Sequence, residues 1–207
     1  QSMTLFASGR DPVKVYKLSL ENTSKEKRKL SAYFYIDIVM GVSRESTAPY
    51  IVTDMDYNSN TFTARNTYNN EFEGRVAFIS SSKKIKSCTG DKGEFIGARG
   101  HLGQPQGLLY DELSGRTGAA LDPCAVIKVA LEIEPEKKEE VLFIFGEAGD
   151  VETADMIAET YRRHAVAKVV LNKVKDGWKQ IIEMVQVDTP DEMMNFILNG
   201  WLIYQVL

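Results

Sequence analysis

From residue 13 to 147 the apolar positions recur mostly with a period of two, the signature of strands. Val13 and Val15 alternate, then Leu18 and Leu20, ahead of the turn-like stretch Glu21-Asn22-Thr23-Ser24-Lys25. Leu30, Ala32, Phe34, Ile36, Ile38 and Met40 alternate over eleven residues, with Tyr33, Tyr35 and Val39 on the opposite face. A strand apolar on one face and half-apolar on the other belongs in a packed sandwich. The spacing predicts that these first two strands form an antiparallel hairpin. Residues 49–55 and 61–65 flank the polar loop 56–60, a second hairpin by composition. Residues 75–80 read as a short strand, and 124–133 and 140–145 flank 134–138 as a third hairpin. Many short strands joined by polar turns predict a β-sandwich. No internal repeat is visible.

Two stretches depart from that period. Residues 91–118 hold seven of the chain's fifteen glycines and read as a long irregular loop. Loops of that length are usually functional or disordered. After Asp150 the period becomes helical. Asp150 is the expected cap of a first helix whose apolar face is Ala154, Ile157, Ala158 and Tyr161. A second helix is expected over 165–185, with the stripe Val166, Val170, Val174, Trp178, Ile181 and Val185. A third starts at Thr189-Pro190-Asp191-Glu192, with Thr189 as cap, Pro190 first and Glu192 closing a capping box. Apolar residues from Met193 to Val206 cover that helix on every side, which predicts burial in a larger body.

Composition narrows the functional classes. The 207 residues carry a net charge of −4, with 43% hydrophobic and 26% charged residues, ordinary globular values that exclude a disordered tail and a strongly basic nucleic-acid binder. Two cysteines, Cys88 and Cys124, make no disulfide scaffold, and two histidines leave little for metal chemistry. The longest uncharged run, 193–207, has fifteen residues against the ~20 a membrane span needs. No secretory signal pattern opens the chain. The opening Gln1-Ser2-Met3 reads as an expression-tag remnant, and Thr4 as an internal residue of a longer protein.

The search for chemistry returns few candidates. No phosphate-binding GxxxxGK[ST] or dinucleotide GxGxxG is present, and neither is CxxC or HExxH. Cys124, at a strand start, reads as a buried small hydrophobe, whereas Cys88 reads as a thiol that could be exposed. His164 falls between two helices as a cap or surface residue. His101, in the glycine loop, is the better functional candidate of the two, with a plain turn role as its alternative. Arg116, in Ser114-Gly115-Arg116-Thr117-Gly118, either reaches an anion or a sugar or ties its loop to the sandwich. Tyr50, Tyr57 and Tyr68 are the aromatics placed for exposure.

Several stretches carry a resemblance when taken in order. They are 13–22, Gly41-Val42-Ser43-Arg44-Glu45, 47–53, Ala64-Arg65-Asn66, Gly90-Asp91, Glu94-Phe95-Ile96-Gly97, 113–118, Leu121-Asp122-Pro123-Cys124-Ala125, 187–190 and 198–205. Together they resemble the inverting glycoside phosphorylases of glycoside hydrolase family 94, the cellobiose and chitobiose phosphorylases. The nearest likeness is to the phosphorylase-like C-terminal module of cyclic β-1,2-glucan synthases. One departure stands out. The family's Asn-Arg-Trp reads Asn199-Gly200-Trp201 here, and glycine costs a helix about 1 kcal/mol relative to alanine.

The resemblance implies a mainly β fold with C-terminal helices. Residues 1–3 would be the tag remnant and 4–149 a portion of a galactose mutarotase-like β-supersandwich. Residues 150–188 would be linker helices, and 189–207 the first helix of an (α/α)6 catalytic barrel. It implies a non-catalytic piece of a carbohydrate enzyme, a glycosyltransferase or glycoside phosphorylase. Such an enzyme uses inorganic phosphate as co-substrate to cleave a β-glucosidic bond with inversion. Implied partners are the barrel, a β-linked gluco-oligosaccharide and a second copy in a homodimer, with no nucleic acid. No cofactor and no metal are implied, and no catalytic residue falls within these residues. Substrate contacts would be Arg44 and Arg116; His101 stays a substrate-binding candidate from its place in the glycine-rich loop. The implied location is the cytoplasm, or the cytoplasmic side of the inner membrane within a larger membrane protein, which implies reduced cysteines. The alternative is a free-standing carbohydrate-binding β-sandwich.

Overall fold

The computed structural model describes residues 1–68, 74–97 and 100–206. Ala98 and Arg99 of the glycine-rich stretch, and Leu207 at the end of the third expected helix, lie outside the described residues. The chain divides into two units, Gln1–Ala167 and Lys168–Leu207.

Among the described residues, the first unit is built on nine antiparallel strands. They are β1 (Ser2–Ala7), β2 (Val13–Glu21), β3 (Arg28–Asp37), β4 (Ile51–Asp56), β5 (Thr61–Asn66), β6 (Val76–Ser81), β7 (Ile85–Asp91), β8 (Pro123–Ile133) and β9 (Lys138–Ala148). A six-stranded sheet runs β1-β2-β9-β6-β5-β4, and a three-stranded sheet runs β3-β8-β7. The sheets face each other across a core that includes Phe62, Ile79, Ile127, Val129, Val141 and Phe143. The Phe34 ring of β3 stacks on Phe143 of β9 at 5.0 Å and meets Tyr16 of β2 edge-on at 4.8 Å.

Each sheet is also covered on its outer side. Helix α3 (Val151–Tyr161) packs on β6 and β9 of the large sheet. Ala154 and Ala158 are wholly buried there, and side chains that small let the helix axis approach the sheet closely. The Tyr161 hydroxyl, 2.7 Å from Ser8 Oγ, donates to the Asp11 carboxylate at 2.8 Å and fixes the last turn of α3 to the β1–β2 connection. Across the small sheet, Phe95 and Ile96 of helix α2 (Lys92–Ile96) cluster with Leu113, Cys124 and Val126. Two-sided cover explains the slip in the β2 pattern. Val13 and Val15 point to one side of the sheet and Leu18 and Leu20 to the core on the other.

The hairpin over β4 and β5 is present, in the register Ile51↔Asn66 to Asp56↔Thr61. The other two expected hairpins are corrected. β2 pairs with β1 and β9, whereas β3 pairs with β8; β8 in turn pairs with β3 and β7, not with β9. Both connections therefore cross between sheets. The buried Asn22 side chain joins the two crossings, donating to Glu26 O at 2.7 Å, Ile133 O at 3.0 Å and Glu134 O at 3.2 Å. Two strands were not expected. β7 has no apolar alternation, and β1 includes Ser2 and Met3, which pair with Ser19 and Leu18.

The two sides of the sandwich are closed differently. On one side the segment 113–118 links the edges of β7 and β4. Leu113 N donates to Ser87 Oγ at 3.0 Å, Gly115 N to Cys88 O at 2.9 Å, Gly90 N to Arg116 O at 2.7 Å and Thr53 N to Gly118 O at 3.1 Å. On the other side, among the described residues, no backbone group bonds the outer edge of β1 or of β3.

Helix α4 (His164–Glu183) begins in the first unit and runs into the second. The second unit continues with α5 (Glu192–Phe196), a π-turn over Ile197–Trp201 and α6 (Leu202–Val206). Asp191, not Thr189, caps α5, accepting from Met193 N at 2.9 Å and Met194 N at 3.3 Å. The Thr189 hydroxyl is instead within hydrogen-bonding distance of Asn195 Oδ1, at 2.7 Å, so the start shifts by two residues. Gly200 lies inside the π-turn, a wide turn that a residue without a side chain accommodates. No helix among the described residues is long and apolar enough to cross a membrane.

Candidate functional site

The sharpest motifs of the resemblance converge on one end of the small sheet. Arg44 lies in helix α1 (Arg44–Thr47), capped by Ser43. Its Nη1 bonds Asp37 and its Nη2 bonds Asp122, with a further donation to Pro123 O at 3.1 Å. The guanidinium thus ties the end of β3 to the start of β8. Burial works to lower its pKa, but the Asp122 and Asp37 carboxylates outweigh it and the proton is held more tightly than usual. Lys92 Nζ reaches the other oxygen of Asp37 at 2.9 Å.

Arg116 belongs to the neighbouring network. Asp91 caps α2 through Gly93 N at 2.9 Å and holds Arg116 Nη1 at 2.8 Å on its second oxygen. The Arg116 side chain is nonetheless 62% exposed. Its turn is fixed by Glu94, whose carboxylate accepts from Ser114 N at 2.8 Å, Ser114 Oγ at 2.6 Å and Thr89 Oγ1 at 2.6 Å. Burial opposes the Glu94 charge, yet the Ser114 and Thr89 hydrogen bonds hold its pKa below the ordinary carboxylate range. Gly115 turns the chain at φ 74, in the left-handed region where a side chain is disfavoured. The networks of Arg44 and Arg116 meet at the adjacent residues Asp91 and Lys92. His101 does not join them among the described residues. It is exposed, and its Nδ1 accepts from Gly103 N at 3.1 Å within its own turn.

Both cysteines are buried, which corrects the expectation of an exposed Cys88. Cys88 faces the intersheet core and Cys124 the cluster under α2, on opposite sides of the small sheet. Burial raises the pKa of both thiols. Among the described residues there is no group of three or more His, Cys, Asp or Glu that could hold a metal ion. The charges of Asp37, Arg44, Lys92 and Asp122 pair with one another across fold elements.

A second feature lies at one end of the large sheet. A groove of about 1010 Å³ is lined in part by Val39, Met40, Val42, Tyr50, Tyr68 and Phe145. The rings of Tyr50 and Tyr68 stack at 4.4 Å with 18° between their planes. Arg75 and Glu147 pair at 2.5 Å on its wall. Exposure of Tyr50, Tyr57 and Tyr68 is as expected, but the juxtaposition of two of them is set by the distance between the start of β4 and the end of β5. No spacing in the sequence reports that distance. Tyr57 lies elsewhere, its hydroxyl 3.6 Å from Cys88 Sγ.

Comparison with known proteins agrees with the convergence of the motifs. The family model described as "Glycosyl hydrolase 94, supersandwich domain" matches residues 1–164. The chain is 32% identical over 197 residues, 95% of its length, to the cyclic beta-(1,2)-glucan synthase NdvB of Rhizobium meliloti (strain 1021), of which that span is 7%. It is 18% identical to the N,N'-diacetylchitobiose phosphorylase of Vibrio furnissii, covering 98% of this chain and 26% of that protein. The 3-O-beta-D-glucopyranosyl-beta-D-glucuronide phosphorylase of Paenibacillus borealis is 22% identical over the whole chain and 27% of its own length. The 207 residues therefore span about a quarter or less of these relatives. With a family match across the entire sandwich, the chain belongs to the glycosyl hydrolase 94 supersandwich domain family.

Proposed function

We propose that this chain is the non-catalytic supersandwich and linker portion of a glycoside phosphorylase-type enzyme, working beside an (α/α)6 catalytic barrel. The observation that carries this reading is the family match over 1–164, joined to relatives several times longer whose names describe phosphorylases and a glucan synthase. The geometry supports it from the other direction. The charges of Arg44, Asp37 and Asp122 are spent on one another. In the parent enzyme, inorganic phosphate would attack the anomeric carbon of a β-linked gluco-oligosaccharide from the face opposite the leaving oxygen. A carboxylic acid outside these residues would protonate that oxygen, giving inversion and a sugar 1-phosphate. Arg116 is the better placed of the two arginines for a sugar hydroxyl or phosphate, because its guanidinium is mostly in solvent and has one fixed contact. The enzyme would work in the cytoplasm or on the cytoplasmic face of the inner membrane.

The test is phosphorolysis. The 207-residue chain with phosphate and β-1,2-linked gluco-oligosaccharides should release no sugar 1-phosphate, and a longer protein containing it should. Release by the 207 residues alone, lost without phosphate, overturns the non-catalytic assignment. A free-standing carbohydrate-binding sandwich is the second reading, favoured by the Tyr50–Tyr68 stack beside the groove. Binding of the same oligosaccharides to the isolated chain at millimolar concentration or tighter by calorimetry, lost in Tyr68→Ala, would select it.

A further inference from the structure

Within the second unit, two asparagines hold the segment between α4 and α5 against the last helices. Asn199 Oδ1 accepts from Val187 N at 2.8 Å, and its Nδ2 donates to Val187 O at 2.8 Å. Four residues earlier, on the same helical face, Asn195 Oδ1 accepts from Thr189 N at 2.8 Å and its Nδ2 donates to Thr189 O at 2.9 Å. Val187 and Thr189 turn both main-chain groups to one side, as alternate residues of an extended strand do. A carboxamide has an acceptor end and a donor end, so each asparagine matches one such residue. Residues 187–189 are thereby strapped down by a ladder of two rungs, and each rung needs an amide rather than a carboxylate.

The Asn199 rung is chemically fragile. Asn199-Gly200 is the one Asn-Gly pair in the sequence. An asparagine followed by glycine is open to attack by the next main-chain nitrogen, because no side chain shields that nitrogen and its backbone turns freely. Nothing outside its own helix lies within 4 Å of where a Gly200 Cβ would sit. Asn195 is followed by Phe196, whose side chain hinders the same approach. In the closed state the attack on Asn199 is opposed twice. Val187 holds both ends of the carboxamide, and the π-turn over Ile197–Trp201 directs main-chain N–H groups along the helix axis, away from the side chain.

From this we infer that Asn199 is a deamidation site gated by the strap. When 187–189 lifts, Gly200 N gives up its proton and attacks Asn199 Cγ. The bond from Cγ to the side-chain nitrogen breaks, and that nitrogen leaves as ammonia, taking up the proton. Water then opens the cyclic imide at either carbonyl, which gives aspartate or isoaspartate. The balance is one water consumed and one ammonia released, with no oxidant, reductant or cofactor. The product carboxylate accepts but does not donate, so Val187 O loses its partner. Isoaspartate also adds a methylene to the main chain inside the π-turn. The strap does not close again in its original form, so the reaction is a one-way timer on how the α4–α5 connection sits against the last helices. This inference goes beyond the domain reading above and does not depend on it.

The test ages the 207-residue chain at mildly alkaline pH and maps its peptides by mass spectrometry. Conversion of Asn199 in the folded chain should be about tenfold slower or more than in the same chain unfolded in urea, because only the opened strap reacts. Asn195→Ala removes the other rung and should speed conversion of the folded chain several-fold. Val187→Pro deletes the N–H that Asn199 accepts and should do the same. Gly200→Ala should suppress conversion in the folded and the unfolded chain alike. In the converted chain, isolated by ion exchange, the Val187 and Thr189 amides should exchange about tenfold faster by NMR, while those of the sandwich stay as they were. Equal rates in the folded and unfolded chain, conversion of Asn195 as fast as that of Asn199, or no conversion of the folded chain over weeks overturns the inference. So does unchanged Val187 and Thr189 exchange after conversion. Phosphorolysis enters none of these readouts, so failure here leaves the domain reading to its own assay.

Discussion

Replacing Asn22 with alanine tests how the two sheets are held in register. The side chain is 6% exposed and makes three donations to carbonyl oxygens, of which the one to Ile133 O is fully buried. Its Oδ1 also accepts from Ser24 N at 3.1 Å and Ser24 Oγ at 2.7 Å. Water can replace the bonds at Glu26, Glu134 and Ser24, which are partly open. It cannot readily reach Ile133 O. An unsatisfied buried carbonyl costs about 1–3 kcal/mol, and each net hydrogen bond lost elsewhere about 0.5–1.5 kcal/mol. Asn22→Ala should therefore destabilise the sandwich by about 2–4 kcal/mol. For a unit of this size that is a fall in melting temperature on the order of 5–15 °C. Thermal and urea unfolding followed by β-sheet circular dichroism measures it. Asn22→Asp sharpens the test, because it keeps the acceptor for Ser24 and replaces the donor with a charge facing three carbonyls. Aspartate should be at least as damaging as alanine at neutral pH. A loss below about 0.5 kcal/mol for alanine, the range of ordinary surface changes, or a near-native aspartate variant, would refute the clasp.

Further expectations follow from the loop, the thiols and the last helices. Glu94 has a folded-state pKa below its ordinary value of 4.5, so its contribution is complete above that pH and disappears as pH falls through the lower folded value. Glu94→Gln should flatten the acid limb of a stability-versus-pH curve, and an unchanged limb would contradict the assignment. In the native chain neither cysteine should react with Ellman's reagent within minutes, whereas both should after denaturation, because burial disfavours both thiolates. An unreduced mass lighter by two hydrogens would show a disulfide and overturn this. Deleting 193–207 removes exposed Met193, Phe196, Trp201 and Tyr204. Sedimentation should shift any oligomer toward monomer while the melting of the sandwich stays where it was; a lower melting temperature with unchanged association would refute the idea.

The legible parts of the sequence were those where side-chain pattern and backbone state coincide. β3, β5, β8 and α3 were all visible, and Asp150 caps α3 as expected, accepting from Thr153 N at 2.7 Å. β7 was hidden because its buried residues include Ser87 and Thr89. Polar side chains can line a core only when something bonds them; here Leu113 N bonds Ser87 from the 113–118 segment, and Glu94, in the helix that follows β7, bonds Thr89. The false hairpins have a simple cause. A polar turn of about five residues serves equally for reversing within one sheet or stepping to another, and only the pairing partner distinguishes them. Arg44 and Arg116 were singled out together as substrate contacts. Arg44 is held between two carboxylates that lie far from it in sequence or on another strand, while Arg116 keeps an open side, a difference that residue spacing does not encode. The groove was invisible, since Tyr50 and Tyr68 meet only through the register of β4 and β5.

The position of β9 has a consequence for biosynthesis. It lies between β2 and β6, so it alone joins the β1–β2 pair to the β4–β5–β6 meander. A ribosome making this chain releases those two pieces long before residue 138, and neither has its central neighbour until then. For that interval the inner edges of β2 and β6 are open, and their apolar faces, including Val15 and Phe78, lack the cover that the finished sheet and α3 provide. Non-local pairing of this kind slows folding and lengthens exposure to aggregation. The nascent chain should therefore depend on chaperones until β9 emerges, and mutations in β9 should lower the yield of soluble protein more than equally buried changes in β5.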